Sequence, residues 1–153
     1  MTYRVTVIAS YPRNADTVFA EACEFSELVE AMKGIASYDG LPDGPAQEGQ
    51  TYIVDVTLFG VIKNPGHKMM VERLDRQARI LQSRESNPSV RRWDHELSVQ
   101  PDGAEGQGAL WTDTVEIDAP RNAWFTAQFA RFVYTRRHKK RGAAHLTSKV
   151  ERI

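Results

Sequence analysis

The sequence predicts an α+β fold: a curved antiparallel sheet of about seven strands wrapped on one long C-terminal helix, with two short helices after the first strand. Three observations carry this. Nearly everything between Tyr52 and Asp118 reads as strand, and the breaks are turns rather than helical segments. Strands joined that way pair antiparallel. Arg121 to Arg141 is the longest helically patterned run without Gly or Pro, with Pro120 ahead and Gly142 behind. A helix of that length spans roughly 30 Å and needs a broad apolar partner, which the sheet supplies.

Thr2 to Ser10 alternates Tyr3, Val5 and Val7 against Arg4 and Thr6, the pattern of a half-buried strand. Tyr11-Pro12 ends it, and Asn14 is a good N-cap for the next segment. There Val18, Phe19, Ala22 and Cys23 recur at helical spacing. Phe25, Leu28, Val29 and Met32 resume it after a phase break at Glu24 to Ser26, so two short helices are expected, with Gly34 closing the second. Tyr38 to Gly49 holds three Gly and two Pro and reads as a loop rimming a cavity. Gln50 to Phe59 is the most apolar strand, and a turn region around Asn64-Pro65-Gly66 comes after it. Lys68–Leu74 with Arg79–Glu85, and Val90–Gln100 with Ala109–Asp118, form two hairpins. Residues 1–146 make a single domain, with 147–153 as a short tail of lower order.

On the last helix, Phe125, Phe129, Phe132 and Val133 share one face at 100° per residue, the face expected against the sheet. Arg136 projects onto that oily side, whereas Arg131, Thr135 and His138 point to solvent.

Composition excludes several function classes. Hydrophobic residues make up 41% of the chain and charged ones 26%, with 20 basic residues against 20 acidic. No net field draws the chain to nucleic acid, and no run is long enough for stable membrane insertion. The charge is uneven: Arg131 to Arg141 is basic, Asp16 to Glu30 acidic, two helix faces that can meet each other. Cys23 is the one cysteine, so a disulfide framework is excluded, and with no signal peptide the reading points to the cytoplasm. His67, His95, His138 and His145 show no metal-ligand spacing, and no phosphate-cradling Gly loop occurs. No metal or cofactor is expected.

The chain resembles the SRPBCC superfamily, the helix-grip proteins that include START domains, polyketide cyclases and the major birch pollen allergen, in an uncharacterised bacterial branch. The stretches that carry the resemblance are VFAEA, KGIASYDGLP, EGQTYIVDVTLFG, RRWDHELSV, LWTDTVEIDAP and FARFVYTRRHKK. The resemblance implies a cavity between the sheet and the last helix that holds lipids, quinones, polyketides or other apolar molecules.

The second hairpin supplies the candidate chemistry. Pairing Val99 with Ala109 sets His95 opposite Asp113 and places Trp93, His95, Trp111 and Asp113 on one otherwise apolar face. A slip by one residue would bury a row of charges instead. Asp113 can orient His95 as a general base, or the two can satisfy each other as a structural pair. The ligand-contacting set is Trp93, His95, Trp111, Asp113, Phe125, Phe129, Phe132 and Arg136. Three functions fit these residues. The first is binding or transport of a small apolar or amphipathic molecule. The second is a cyclase- or dehydratase-type enzyme using His95. The third is an interaction module acting through the basic end of the last helix. A homodimer stays open.

Overall fold

Buried side chains recur at every second residue of β1 (Thr2–Tyr11) from Val5 onward and along all of β7 (Gly108–Asp118), and the two strands pair in one unbroken antiparallel register. A computed structural model describes residues 1–153. Between those strands run α1 (Ala15–Ala22), α2 (Phe25–Ala31), β2 (Ala36–Asp39), β3 (Thr51–Leu58), β4 (Ile62–Asp75), β5 (Ile80–Asn87) and β6 (Val90–Asp102). After β7 come α3 (Ala123–Lys140) and β8 (His145–Arg152). The eight strands form one antiparallel sheet in the order β2-β3-β4-β5-β6-β7-β1-β8, the helix-grip arrangement.

Asn14 caps α1 as expected, its Oδ1 accepting from the backbone of Asp16 and Thr17. Val18 and Phe19 of α1 pack with Leu97, Val99 and Trp111. Full burial of a side chain such as Phe19 stabilises the fold by about 2–3 kcal/mol. Gly142, at φ 79°, ends α3, with the Ala143 amide returning to the His138 carbonyl at 3.1 Å.

Several expectations are corrected. The tail from residue 147 is strand β8, paired with β1 from Tyr3–Arg152 to Ser10–His145; Leu146 and Val150 supply its apolar face. Tyr38 and Asp39 belong to edge strand β2 rather than to a loop. Pro65-Gly66 is not a turn but part of a bulge within β4, where Gly66 donates its amide to Asp55 Oδ1 at 2.9 Å. Pro tolerates such a bulge because no ladder bond needs its missing N–H. Pro120 lies outside α3, which starts after Asn122 in a left-handed conformation that Asn accepts.

The larger correction concerns the face of α3. Ala123, Ala127, Ala130 and Tyr134 are buried, and the two middle alanines pack with Val5, Val7, Val115 and Ile117 of β1 and β7. Small residues let a helix sit close to a sheet, so the stripe that binds is the least bulky one. Phe125 and Phe132 are exposed instead, by 66% and 48%. His138, expected in solvent, is wholly buried.

Bulges interrupt β3/β4 near Asp55, β4/β5 near Glu72 and β5/β6 near Ser86. Each bends its strand and re-aims side chains. The sheet thus curls away from α3 on its β2–β6 side.

Candidate functional site

Between that curled half of the sheet, α2 and the Phe125–Phe129–Val133 edge of α3 lies a cavity of about 470 Å³ with a largely apolar wall. Leu28 of α2, Met32 just past its end, Tyr52 of β3 and Met69 of β4 line it together with Leu81 and Leu97. Phe129 meets Phe59 edge-on at 6.2 Å and Phe132 at 6.4 Å.

Trp93, His95, Phe125 and Phe129 line the cavity as the sequence suggested. Trp111 and Asp113 do not: both are fully buried behind its wall. Phe132 and Arg136 lie on a different surface, a basic groove with Arg131, Thr135, Lys139 and Ser148. The hairpin register is also corrected. Val99 pairs with Trp111, Leu97 with Asp113 and His95 with Val115, two residues from the expected pairing. A two-residue shift preserves the face, so His95 and Asp113 still meet diagonally, Nε2 to Oδ1 at 2.8 Å.

Asp113 is the centre of a buried network. Its Oδ1 also accepts from Trp111 Nε1 at 3.0 Å, and its Oδ2 from His138 Nε2 at 2.7 Å. His138 Nδ1 reaches the Tyr11 hydroxyl at 2.6 Å. Burial alone would raise the pKa of Asp113, but the bonds from His138 and His95 prevail and hold it well below the carboxylate range. Burial pushes the Tyr11 phenol up to about 12. The His95 ring is braced by Tyr134 at 4.9 Å, whose hydroxyl accepts from Trp93 Nε1 at 3.2 Å. With Nε2 donating to Asp113, His95 keeps Nδ1 free of any protein partner.

A second polar group, unforeseen from sequence, closes the cavity end formed by β4 and β5. Glu85 Oε2 accepts from His67 Nε2 at 2.8 Å and Oε1 from Ser83 Oγ at 2.7 Å. Asn87 lies against His67 Nδ1 at 3.1 Å. Burial opposes ionisation of Glu85, yet the bonds from His67 and Ser83 hold its pKa below the ordinary value. Spacing offered one signal: Leu81, Ser83, Glu85 and Asn87 alternate onto one face.

Arg137, not Arg136, is the buried arginine. Its Nη2 donates to Glu27 Oε2 at 2.7 Å and its guanidinium lies 5.1 Å from the Trp111 ring. Burial works against its charge, and Glu27 and then Asp113 restore it, so its pKa stays raised. Arg141 shares Glu27 and reaches Glu21 at 3.3 Å. The acidic and basic segments therefore meet, through buried pairs on Glu27 of α2 and a half-exposed Arg141–Glu21 pair that reaches α1. Cys23 lines the cavity, its thiol pushed up to about 11 by burial, which suits a packing residue rather than a nucleophile. No helix is long and apolar enough to cross a membrane.

No protein-family model matches the chain, and no curated protein matches its sequence. Solved structures do share its fold. A START superfamily protein from Mycobacterium smegmatis is 12% identical over 90% of this chain and 92% of that one, with a TM-score of 0.66. Truncated norcoclaurine synthase from Thalictrum flavum is 14% identical over 95% and 96%, at 0.64. Ara h 8.0201 is 10% identical over 92% and 97%, at 0.62. At these identities the likeness establishes the helix-grip fold, the one expected from the SRPBCC resemblance.

Proposed function

We propose that this helix-grip chain binds a small apolar or amphipathic molecule in the cavity between its sheet and α3. The observation that carries the reading is a largely apolar chamber of about 470 Å³ with polar groups confined to a few positions, chiefly Glu85, His67 and His95. Binding sites for small molecules have this make-up: apolar walls supply affinity and a few fixed polar groups supply orientation. The neighbours support the reading through their fold. The expected result is one-to-one, saturable uptake of an apolar fluorescent probe, lost in Val133→Trp, which adds bulk on the α3 wall.

A second reading has its own support. His95 donates from Nε2 to Asp113 and lines the cavity with Nδ1 unengaged, the arrangement of a general base in proton-transfer chemistry such as a cyclisation or dehydration. Under this reading His95→Ala removes turnover while probe affinity stays within about threefold, less than one hydrogen bond is worth. Equal loss of binding and stability in that variant would instead mark His95 as structural.

A further inference from the structure

Glu85 sits where β5 bulges, directly across from Trp93 on β6. The protonation of its partner can be read from geometry. Asn87 Oδ1 accepts from the Ser89 and Val90 amides at 2.8 and 3.0 Å, which fixes the side-chain amide. Its N–H side therefore faces His67 Nδ1. Nδ1 must accept, so the single ring proton sits on Nε2 and is donated to Glu85. Ser83 is the other donor. No Lys or Arg stands within ion-pair distance of Glu85.

Of the other charged groups that line the cavity, Glu24 stands at the junction of α1 and α2, on a different wall from Glu85, and two more are committed elsewhere. Arg137 of α3 is paired with Glu27, and His95 of β6 donates to Asp113. Tyr134 and Tyr38 also line the space, and burial raises the pKa of each, keeping them neutral. Glu85 is thus an anion at the edge of a largely apolar chamber, with lone-pair capacity beyond its two bonds. Aromatic faces stand beside it: Trp93 across the strand pair, with Tyr134 6.4 Å from Trp93.

We infer that the cavity selects a protonated amine, its ammonium head seated on Glu85 beside Trp93 and its apolar body along Leu81, Leu97 and Phe129. This rests on the ligand-binding reading above. An ammonium brings both the N–H donors and the charge that this pole lacks, giving a charge-assisted bond and contact with ring faces. A carboxylic acid of the same shape meets the like charges of Glu85 and, behind the wall, Asp113.

The test is calorimetric titration with decylamine, decanol and decanoate at pH 7, on the wild-type chain and on Glu85→Gln. The amine is expected to bind wild type about ten- to hundredfold more tightly than the alcohol, the range of one hydrogen bond to a charged group, with the acid weakest. In Glu85→Gln the amine should lose about ten- to hundredfold and with it its advantage over the alcohol. Equal binding of amine and alcohol to wild type overturns the inference, and that comparison needs no variant to fold. Amine preference surviving in Glu85→Gln overturns it too. In both cases binding of decanol leaves the cavity reading standing. If none of the three binds, the inference falls together with that reading.

Discussion

Asp113→Ala is expected to lower stability by about 3–5 kcal/mol in urea unfolding, the cost of removing one member of a buried ionic network. The carboxylate has no exposure and accepts from three side chains on three elements: His95 of β6, Trp111 of β7 and His138 of α3. Its loss leaves those donors facing an apolar space, each at a cost of about 1–3 kcal/mol unless it finds another acceptor. Asp113→Asn keeps the volume and one acceptor oxygen, so its loss should be the smaller. Acid dependence separates the charge from the packing. The folded pKa of Asp113 is depressed, so its stabilisation is present above the unfolded value of about 4 and is lost as pH falls below it. Wild type should lose stability steeply below about pH 4. Asp113→Asn should do so on a shallower slope. Identical slopes would mean that the carboxylate gains nothing from its two histidines.

Glu27→Ala should cost about as much, roughly 3–5 kcal/mol, because it leaves a buried charge without its partner. Glu27 alone joins α2 to Arg137, which is buried and has no other acidic partner, and it also holds Arg141. Arg141 retains Glu21; Arg137 retains the Trp111 face and the more distant charge of Asp113, with no carboxylate in ion-pair contact. A second change, Arg137→Met, keeps an apolar stem of similar length and removes the stranded charge. The double variant should therefore regain about 1–3 kcal/mol over Glu27→Ala, the coupling expected between contacting residues. Strict additivity would show that the pair does not interact. Since α2 and this end of α3 cover the cavity, hydrogen exchange in α2 should rise in the single variant and fall back in the double.

These networks explain how far the sequence could be read. Alternation on the buried face is unbroken in β1 and β7 and, in β6, from Trp93 to Val99, so the face carrying Trp93, His95, Trp111 and Asp113 was legible from residue types alone. The pairing partner was not. A period of two cannot distinguish registers two residues apart, and a proline at position 101 reads as the end of a strand. Pro101 in fact pairs opposite Ala109, while on the other side β5 reaches only as far as Ser98, so no ladder bond there needs its missing N–H.

The α3 face failed for a related reason. Hydrophobicity ranks Phe above Ala, so the pattern favoured Phe125, Phe129 and Phe132 as core, whereas close contact with the sheet requires the alanine stripe. Once that stripe is fixed, Tyr134 and His138 continue it at four-residue spacing and point inward, although the sequence around His138 is basic. The Glu85–His67 pole was hidden by the bulge in β4, which breaks that strand's alternation between Asn64 and His67, so His67 could not be placed on the face that Ser83, Glu85 and Asn87 share.

Titration of an apolar fluorescent probe, wild type beside Val133→Trp, tests the central claim most directly. The expected result is a single saturable site in wild type, with quenching or energy transfer at Trp93 as it fills, and no uptake by the filled-in variant despite an unchanged circular dichroism spectrum. Undiminished binding by Val133→Trp, or no binding by wild type, would contradict a functional chamber between the sheet and α3.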